Sequence, residues 1–141
     1  MFLCTHNSAR SQMAEAFLRR HGGDRFNAYS AGLEPTEINP MTREVMREIG
    51  LDMEGCHAKG VQTYLGKLMV HHLIIVCETA NRNCPHTWTG LEIESRLFWP
   101  FDDPAAVEGS REERLQNFRQ VRDQMEQRIK TWLREVSEKG E

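Results

Sequence analysis

The sequence predicts a three-layer α/β/α domain built on a small parallel sheet of about four strands. Three observations lead there. Short apolar runs, Met1-Phe2-Leu3, Leu73-Ile74-Ile75-Val76 and Leu97-Phe98-Trp99, alternate with segments of helical period. The run at 73–76 is continuous and rich in β-branched residues, as in a parallel strand buried on both faces. Between the runs lie helix caps and glycine stops rather than hairpin turns.

The elements follow in order. Met1-Phe2-Leu3 forms a first strand and enters the loop Cys4-Thr5-His6-Asn7-Ser8-Ala9-Arg10-Ser11. Met13, Ala14, Phe17 and Leu18 then share one face of a helix, which His21-Gly22-Gly23 stops. Residues 26–30 read as a second strand ending at Ala31-Gly32. Asn39-Pro40 is a cap followed by proline at the first helical position. Met41, Val45, Met46 and Ile49 make the apolar face of that helix, and Gly50 closes it. A weaker helical segment is expected over 63–70, a third strand at 73–76 and a shorter fourth at 97–99. Ser110-x-x-Glu113 has the capping-box form. Leu115, Phe118, Val121, Met125, Ile129, Trp132, Leu133 and Val136 follow at helical spacing as a core-facing stripe.

At 141 residues, 39% hydrophobic and 28% charged, the chain is expected to form one domain over 1–141 with a substantial core. A net charge of −3 and a pI near 6.1 give no basic footprint for nucleic acid. No apolar run approaches membrane-spanning length, and no signal peptide precedes the first strand, so a cytoplasmic location is expected. Four cysteines in a reducing compartment point to catalysis, redox exchange or metal binding before structural staples.

The loop at 4–11 carries the chemistry. A strand-to-helix loop points several backbone N–H groups at one spot, and the helix N-terminus adds partial positive charge there. Arg10 offers a planar two-pronged donor to a tetrahedral oxyanion. The same field favours a thiolate, so Cys4 is expected to have a lowered pKa and to act as a nucleophile. Cys-x5-Arg alone arises often by chance, but it has company. In a parallel sheet, ligands bind beyond the carboxyl ends of the strands. Strand direction therefore brings Cys4, Cys77 and Asp102-Asp103 to one edge. Cys77 and Cys84 enclose the polar stretch Glu78-Thr79-Ala80-Asn81-Arg82-Asn83, read as a flexible loop. Their spacing suits neither Cys-x-x-Cys nor the usual zinc patterns, which disfavours zinc at Cys77, Cys84 and His86. A second thiol on such a loop suits disulfide exchange. His71-His72 lacks a third ligand, and Cys56 reads as a passive thiol.

The segment from Cys4 to Glu15 resembles the phosphate-loop signature of the low-molecular-weight tyrosine phosphatase fold. Cys77-x6-Cys84-Pro85 and Phe101-Asp102-Asp103-Pro104-Ala105 resemble the thioredoxin-coupled arsenate reductases of that fold, as do Tyr29-Ser30-Ala31-Gly32 and Asn39-Pro40. The match runs along nearly the whole chain, with the motifs in order. It implies that the loop Thr5, His6, Asn7, Ser8, Ala9, Arg10 and Ser11 binds arsenate or a phosphate-like oxyanion. Cys4 would attack it while Asp103, the acid directly before proline, protonates the departing oxygen. Cys77 would then form a disulfide with Cys4, and Cys84 one with Cys77 for thioredoxin to reduce. The resemblance also implies a hydrogen bond from Ser11 to the Cys4 sulfur, and no organic cofactor or metal. Some relatives bind potassium through residues matching Asn7, Glu15 and Ser30 plus an aspartate, but Gly60 stands at the fourth position here and no ion is expected. Asn7 is expected to hold the loop through backbone hydrogen bonds instead. His6 replaces a common glycine and is expected to point away from the oxyanion; Ala9 replaces a frequent cysteine. The competing activity is hydrolysis of tyrosine or aryl phosphates by Cys4, Arg10 and Asp103 alone. A third possibility is a non-catalytic oxyanion-binding or redox-sensing module, which would have no need of Asp103.

Overall fold

A computed structural model describes residues 1–139. Its strands are β1 (Phe2–Cys4), β2 (Ser30–Gly32), β3 (Met69–Ile75) and β4 (Glu92–Phe98). Its helices are α1 (Arg10–Gly22), α2 (Pro40–Arg47), α3 (Glu78–Asn83) and α4 (Arg111–Glu138). The strands form one parallel sheet in the order β2-β1-β3-β4, flanked by the helices, as the alternation predicts.

That order contains a switch point. From β1 the chain crosses to β2 on one side, and from β3 to β4 on the other, so the connections leaving β1 and β3 diverge. The divergence opens a crevice beyond the carboxyl ends of those two strands. Phe2 pairs with Ile74 and Leu3 with Ile75, so Cys4 and Cys77 emerge side by side into it.

Packing places the apolar stripes as expected. Met13, Ala14, Phe17 and Leu18 of α1 are buried, and so are all eight stripe residues of α4. Arg122, within that stripe, is buried too: its Nη1 donates to the Val45 carbonyl and to Glu48 Oε1, both at 2.8 Å. Ser110 Oγ accepts from the Glu113 N–H at 3.1 Å and starts α4. Ser110→Ala is expected to lower the unfolding free energy by about 1 kcal/mol, read from the urea midpoint.

Four segments differ from expectation, each for a local reason. The second strand covers Ser30–Gly32 only, because Phe26 turns its ring onto Trp132, with centroids 5.3 Å apart. The segment 63–70 is not a helix: the 3-10 turn Val61–Thr63 ends at its start, Gly66 follows at φ 73° before an α-helix can form, and Met69 and Val70 already belong to β3. The strand β4 begins at Glu92, five residues before the apolar run, because it is a sheet edge with a partly solvated surface that accepts Glu92, Glu94 and Arg96. The stretch between Cys77 and Cys84 is the helix α3 rather than a loop.

Candidate active site

The loop after β1 is held from outside by its own carbonyls. Those of Cys4, Thr5, His6 and Ser8 accept from the N–H groups of Leu33, Glu34, Thr36 and Asn39 at 2.8–3.2 Å. With the carbonyls drawn outward to the segment between β2 and α2, the amides face inward. Among the described residues no hydrogen bond takes up the N–H groups of His6 to Ala9. These are the donors left for an oxyanion, at the N-terminus of α1. Gly32 permits the arrangement. A Cβ there would lie 2.8 Å from the Thr5 carbonyl oxygen and 2.9 Å from the Asn7 nitrogen.

Cys4 and Cys77 are both buried, and each acts directly on the ionisation of the other. The expected lowered pKa of Cys4 is not what this geometry gives. The neighbouring Cys77, then burial, pushes the Cys4 thiol up; Arg10 and the Thr5 amide oppose this. Cys77 is drawn down to about 5, first by the neighbouring Cys4, against the effect of burial. The Thr5 hydroxyl 3.4 Å away, the Ala80 N–H and Arg10 also favour its thiolate. The two thiols thus share one negative charge and titrate as a pair at the N-cap of α3. A lowered pKa keeps the thiolate at neutral pH and loses it as the pH falls through about 5. Absorbance at 240 nm should show that titration in the wild type and its upward displacement in Cys4→Ala. An unchanged midpoint in the variant would refute the shared charge.

The remaining expected residues fall at different distances from this pair. Arg10 acts on both thiols, and its Nη1 donates to the Phe101 carbonyl at 2.9 Å, tying the loop to the segment before Asp102. Asp103 is exposed and caps the 3-10 turn Pro104–Ala106, its Oδ1 accepting from the Ala105 N–H at 2.9 Å. Cys84 stands at the far end of α3, where its sulfur accepts from Arg96 Nη2 at 3.1 Å. Ser11 Oγ accepts from Asn7 Nδ2 at 2.8 Å, while the groups acting on the Cys4 sulfur are those named above. His6 is exposed, and its Nδ1 donates to the Glu34 carbonyl at 3.0 Å, outside the loop. Asn7 is fully buried at φ 53° and is held chiefly by side chains, not by backbone. Its Nδ2 also donates to Ser30 Oγ at 3.0 Å, and its Oδ1 accepts from Gln12 Nε2 at 2.8 Å and the Lys59 N–H at 3.0 Å.

Thr5 beside Cys77, Arg96 beside Cys84 and Lys59 beneath Asn7 have roles in this arrangement that no motif assigned. Arg96 and Lys59 reach the site from other elements, and Thr5, expected only as a loop residue, meets Cys77 across the pairing of β1 with β3, so spacing along the chain carries no signal for these contacts.

The profile described as "Low molecular weight phosphotyrosine protein phosphatase" matches residues 1–141. The chain belongs to that family. Among its relatives, the arsenate reductase of Halalkalibacterium halodurans is 42% identical over 132 residues, covering 93% of this chain and 91% of the relative. That of Bacillus licheniformis is 40% identical over 132 residues, covering 92% and 90%. A solved structure, "An arsenate reductase in the phosphate binding state", superposes with a TM-score of 0.77 at 28% identity, covering 96% of each chain. The resemblance to the arsenate reductases of this family, expected from the motifs around Cys77, Cys84 and Asp103, is upheld.

Proposed function

We propose that the protein reduces arsenate to arsenite through Cys4, Cys77 and Cys84 in turn, with thioredoxin as the electron donor. The observation that carries this reading is the pair of buried thiols, Cys4 and Cys77, brought side by side by β1 and β3 beneath a loop whose free amides face an oxyanion position. Hydrolysis of a phosphate ester needs only one nucleophilic thiol, so a second one sharing its charge speaks for electron transfer.

The steps follow from that pair. Arsenate enters the loop amides and Arg10, and the Cys4 proton passes to the neighbouring Cys77. The Cys4 thiolate attacks arsenic and Asp103 protonates the departing oxygen, giving a Cys4–arsenic(V) adduct and water. Cys77 gives up the proton it took to an arsenic-bound oxygen, and its thiolate, favoured by Thr5, the Ala80 N–H and Arg10, attacks the Cys4 sulfur. The sulfur–sulfur bond forms, the sulfur–arsenic electron pair stays on arsenic, and arsenite leaves. Cys84 then attacks the Cys77 sulfur, expelling Cys4 as thiolate, and thioredoxin reduces the Cys77–Cys84 disulfide. The relay requires thiols only.

The last step demands movement. The six residues of α3 advance about 9 Å along the helix axis, whereas a disulfide needs Cα atoms within about 7 Å. The helix must therefore open before Cys84 reaches Cys77. Thr79, Asn81 and Asn83 are weak helix formers, which suits that role.

Phosphatase activity is the weaker reading. Ala105-Ala106-Val107 after the Asp-Pro supply no aromatic wall for a phosphotyrosine ring. The deciding experiment follows NADPH oxidation with thioredoxin and thioredoxin reductase, with and without arsenate, beside aryl-phosphate hydrolysis. Arsenate-dependent oxidation that requires all three cysteines is the expected result. Hydrolysis needing only Cys4 and Asp103, without oxidation, would overturn it.

A further inference from the structure

Lys59 lies between α2 and the turn Val61–Thr63, and its ammonium is folded inward beneath the oxyanion loop. The side chain is only 14% exposed. Its Nζ stands 3.1 Å from Ser30 Oγ, 3.4 Å from Asn7 Oδ1 and 3.8 Å from Glu15 Oε1. Its backbone grips the same place: the N–H donates to Asn7 Oδ1 at 3.0 Å, and the carbonyl accepts from the Gly32 N–H at 2.9 Å.

These contacts bear on the family's potassium site. Asn7, Glu15 and Ser30 are present, but Gly60 offers no side-chain ligand and the ammonium already stands among the other three. The residues do not fit a potassium ion. Glu15 Oε1 is buried with no hydrogen-bond partner, so Lys59 and, on the other oxygen, Arg19 at 3.5 Å are the charges that offset it. A buried carboxylate without a counter-charge is costly.

We propose that Lys59 is a positioning residue for the oxyanion loop, a cation carried by the chain itself where a free ion would otherwise sit. Its contact is with Asn7, the one non-glycine residue at positive φ among those described. That conformation is unfavourable and persists only where the surroundings enforce it. Lys59 and Gln12 converge on Asn7 Oδ1, while Ser11 and Ser30 take both protons of Asn7 Nδ2. The side chain is thereby fixed in the middle of the loop, and the amides on either side of it keep their aim.

The inference rests on the loop being the oxyanion site, and inorganic phosphate is the probe that tests it without arsenate chemistry. In Lys59→Met, phosphate affinity by calorimetry and kcat/KM for arsenate should each fall at least about tenfold, the scale of one charge-assisted hydrogen bond. Because that variant strands Glu15, the double variant Lys59→Met with Glu15→Gln serves as partner: it should fold with near wild-type stability and still bind phosphate at least about tenfold more weakly. In Lys59→Ala, n-propylammonium, which replaces the missing atoms, should restore phosphate affinity; tetramethylammonium at equal ionic strength should not. The wild type should respond to neither, nor to exchange of sodium for potassium. A double variant with wild-type phosphate affinity would reduce Lys59 to a counter-charge for Glu15 and overturn the proposal. If the wild type binds phosphate but does not reduce arsenate, the proposed activity fails while the phosphate measurements still decide the role of Lys59.

Discussion

Cys84→Ala is expected to release one equivalent of arsenite per chain and then stop. The steady-state rate with thioredoxin should fall by about a thousandfold or more, since the chemistry is blocked rather than slowed. The arrested protein should carry a Cys4–Cys77 disulfide, visible by mass spectrometry as the loss of two hydrogens and by peptide mapping. The contrast with its neighbour is informative. Cys77 emerges beside Cys4 in the crevice, so Cys77→Ala should release no arsenite at all. Cys84 lies beyond α3 against Arg96, and in the proposed relay it enters only after arsenite has left. Repeated turnover by Cys84→Ala would show that thioredoxin reduces the Cys4–Cys77 bond directly and would remove the third thiol from the sequence of events.

Gly32→Ala should damage binding and stability together. A Cβ at this position would lie 2.8–2.9 Å from atoms of Thr5, His6 and Asn7, all of them backbone. Backbone cannot swing aside as a side-chain end does, so the oxyanion loop must move. Overpacking of this kind costs about 1–3 kcal/mol or more. The displaced amides should also lower phosphate affinity. Gly22→Ala is the matched comparison: its nearest neighbours, at 3.0 Å, are the ends of the Leu18 and Phe26 side chains. It should shift the urea midpoint less and leave phosphate binding unchanged. Equal loss in both variants would mean that the close approach at Gly32 has no special bearing on the loop.

What the sequence made legible is what repeats along it or lies close along it. The stripes of α1 and α4 bury as their spacing dictates, because every third or fourth residue of a helix meets the same neighbour. Parallel strand direction alone brought Cys4 and Cys77 to one edge. The outcome is poorer where polar residues occupy regular structure: β4 hides behind Glu92, Glu94 and Arg96, and α3 behind threonine and asparagine. Least legible was the ionisation of Cys4. A loop and a helix N-terminus argue for a lowered pKa, but a second thiol 73 residues away in sequence pushes it up instead. Only the pairing of β1 with β3 reveals that the two are partners.

The position of Cys77 at the N-cap of α3 joins secondary structure to reduction potential. In the dithiol form its sulfur accepts the Ala80 N–H and closes the first turn. In the proposed relay, binding that sulfur to Cys84 would remove the charge that caps the helix and pull the two ends of the helix together, so forming the disulfide and melting α3 would be one event in a thermodynamic cycle. Whatever stabilises α3 therefore raises the potential of the Cys77–Cys84 couple, by about 30 mV for each 1.4 kcal/mol. On that relay, the helix propensity of six residues would set how readily the disulfide passes to a reductant, and substitutions that touch no reacting atom would tune its place on the redox scale.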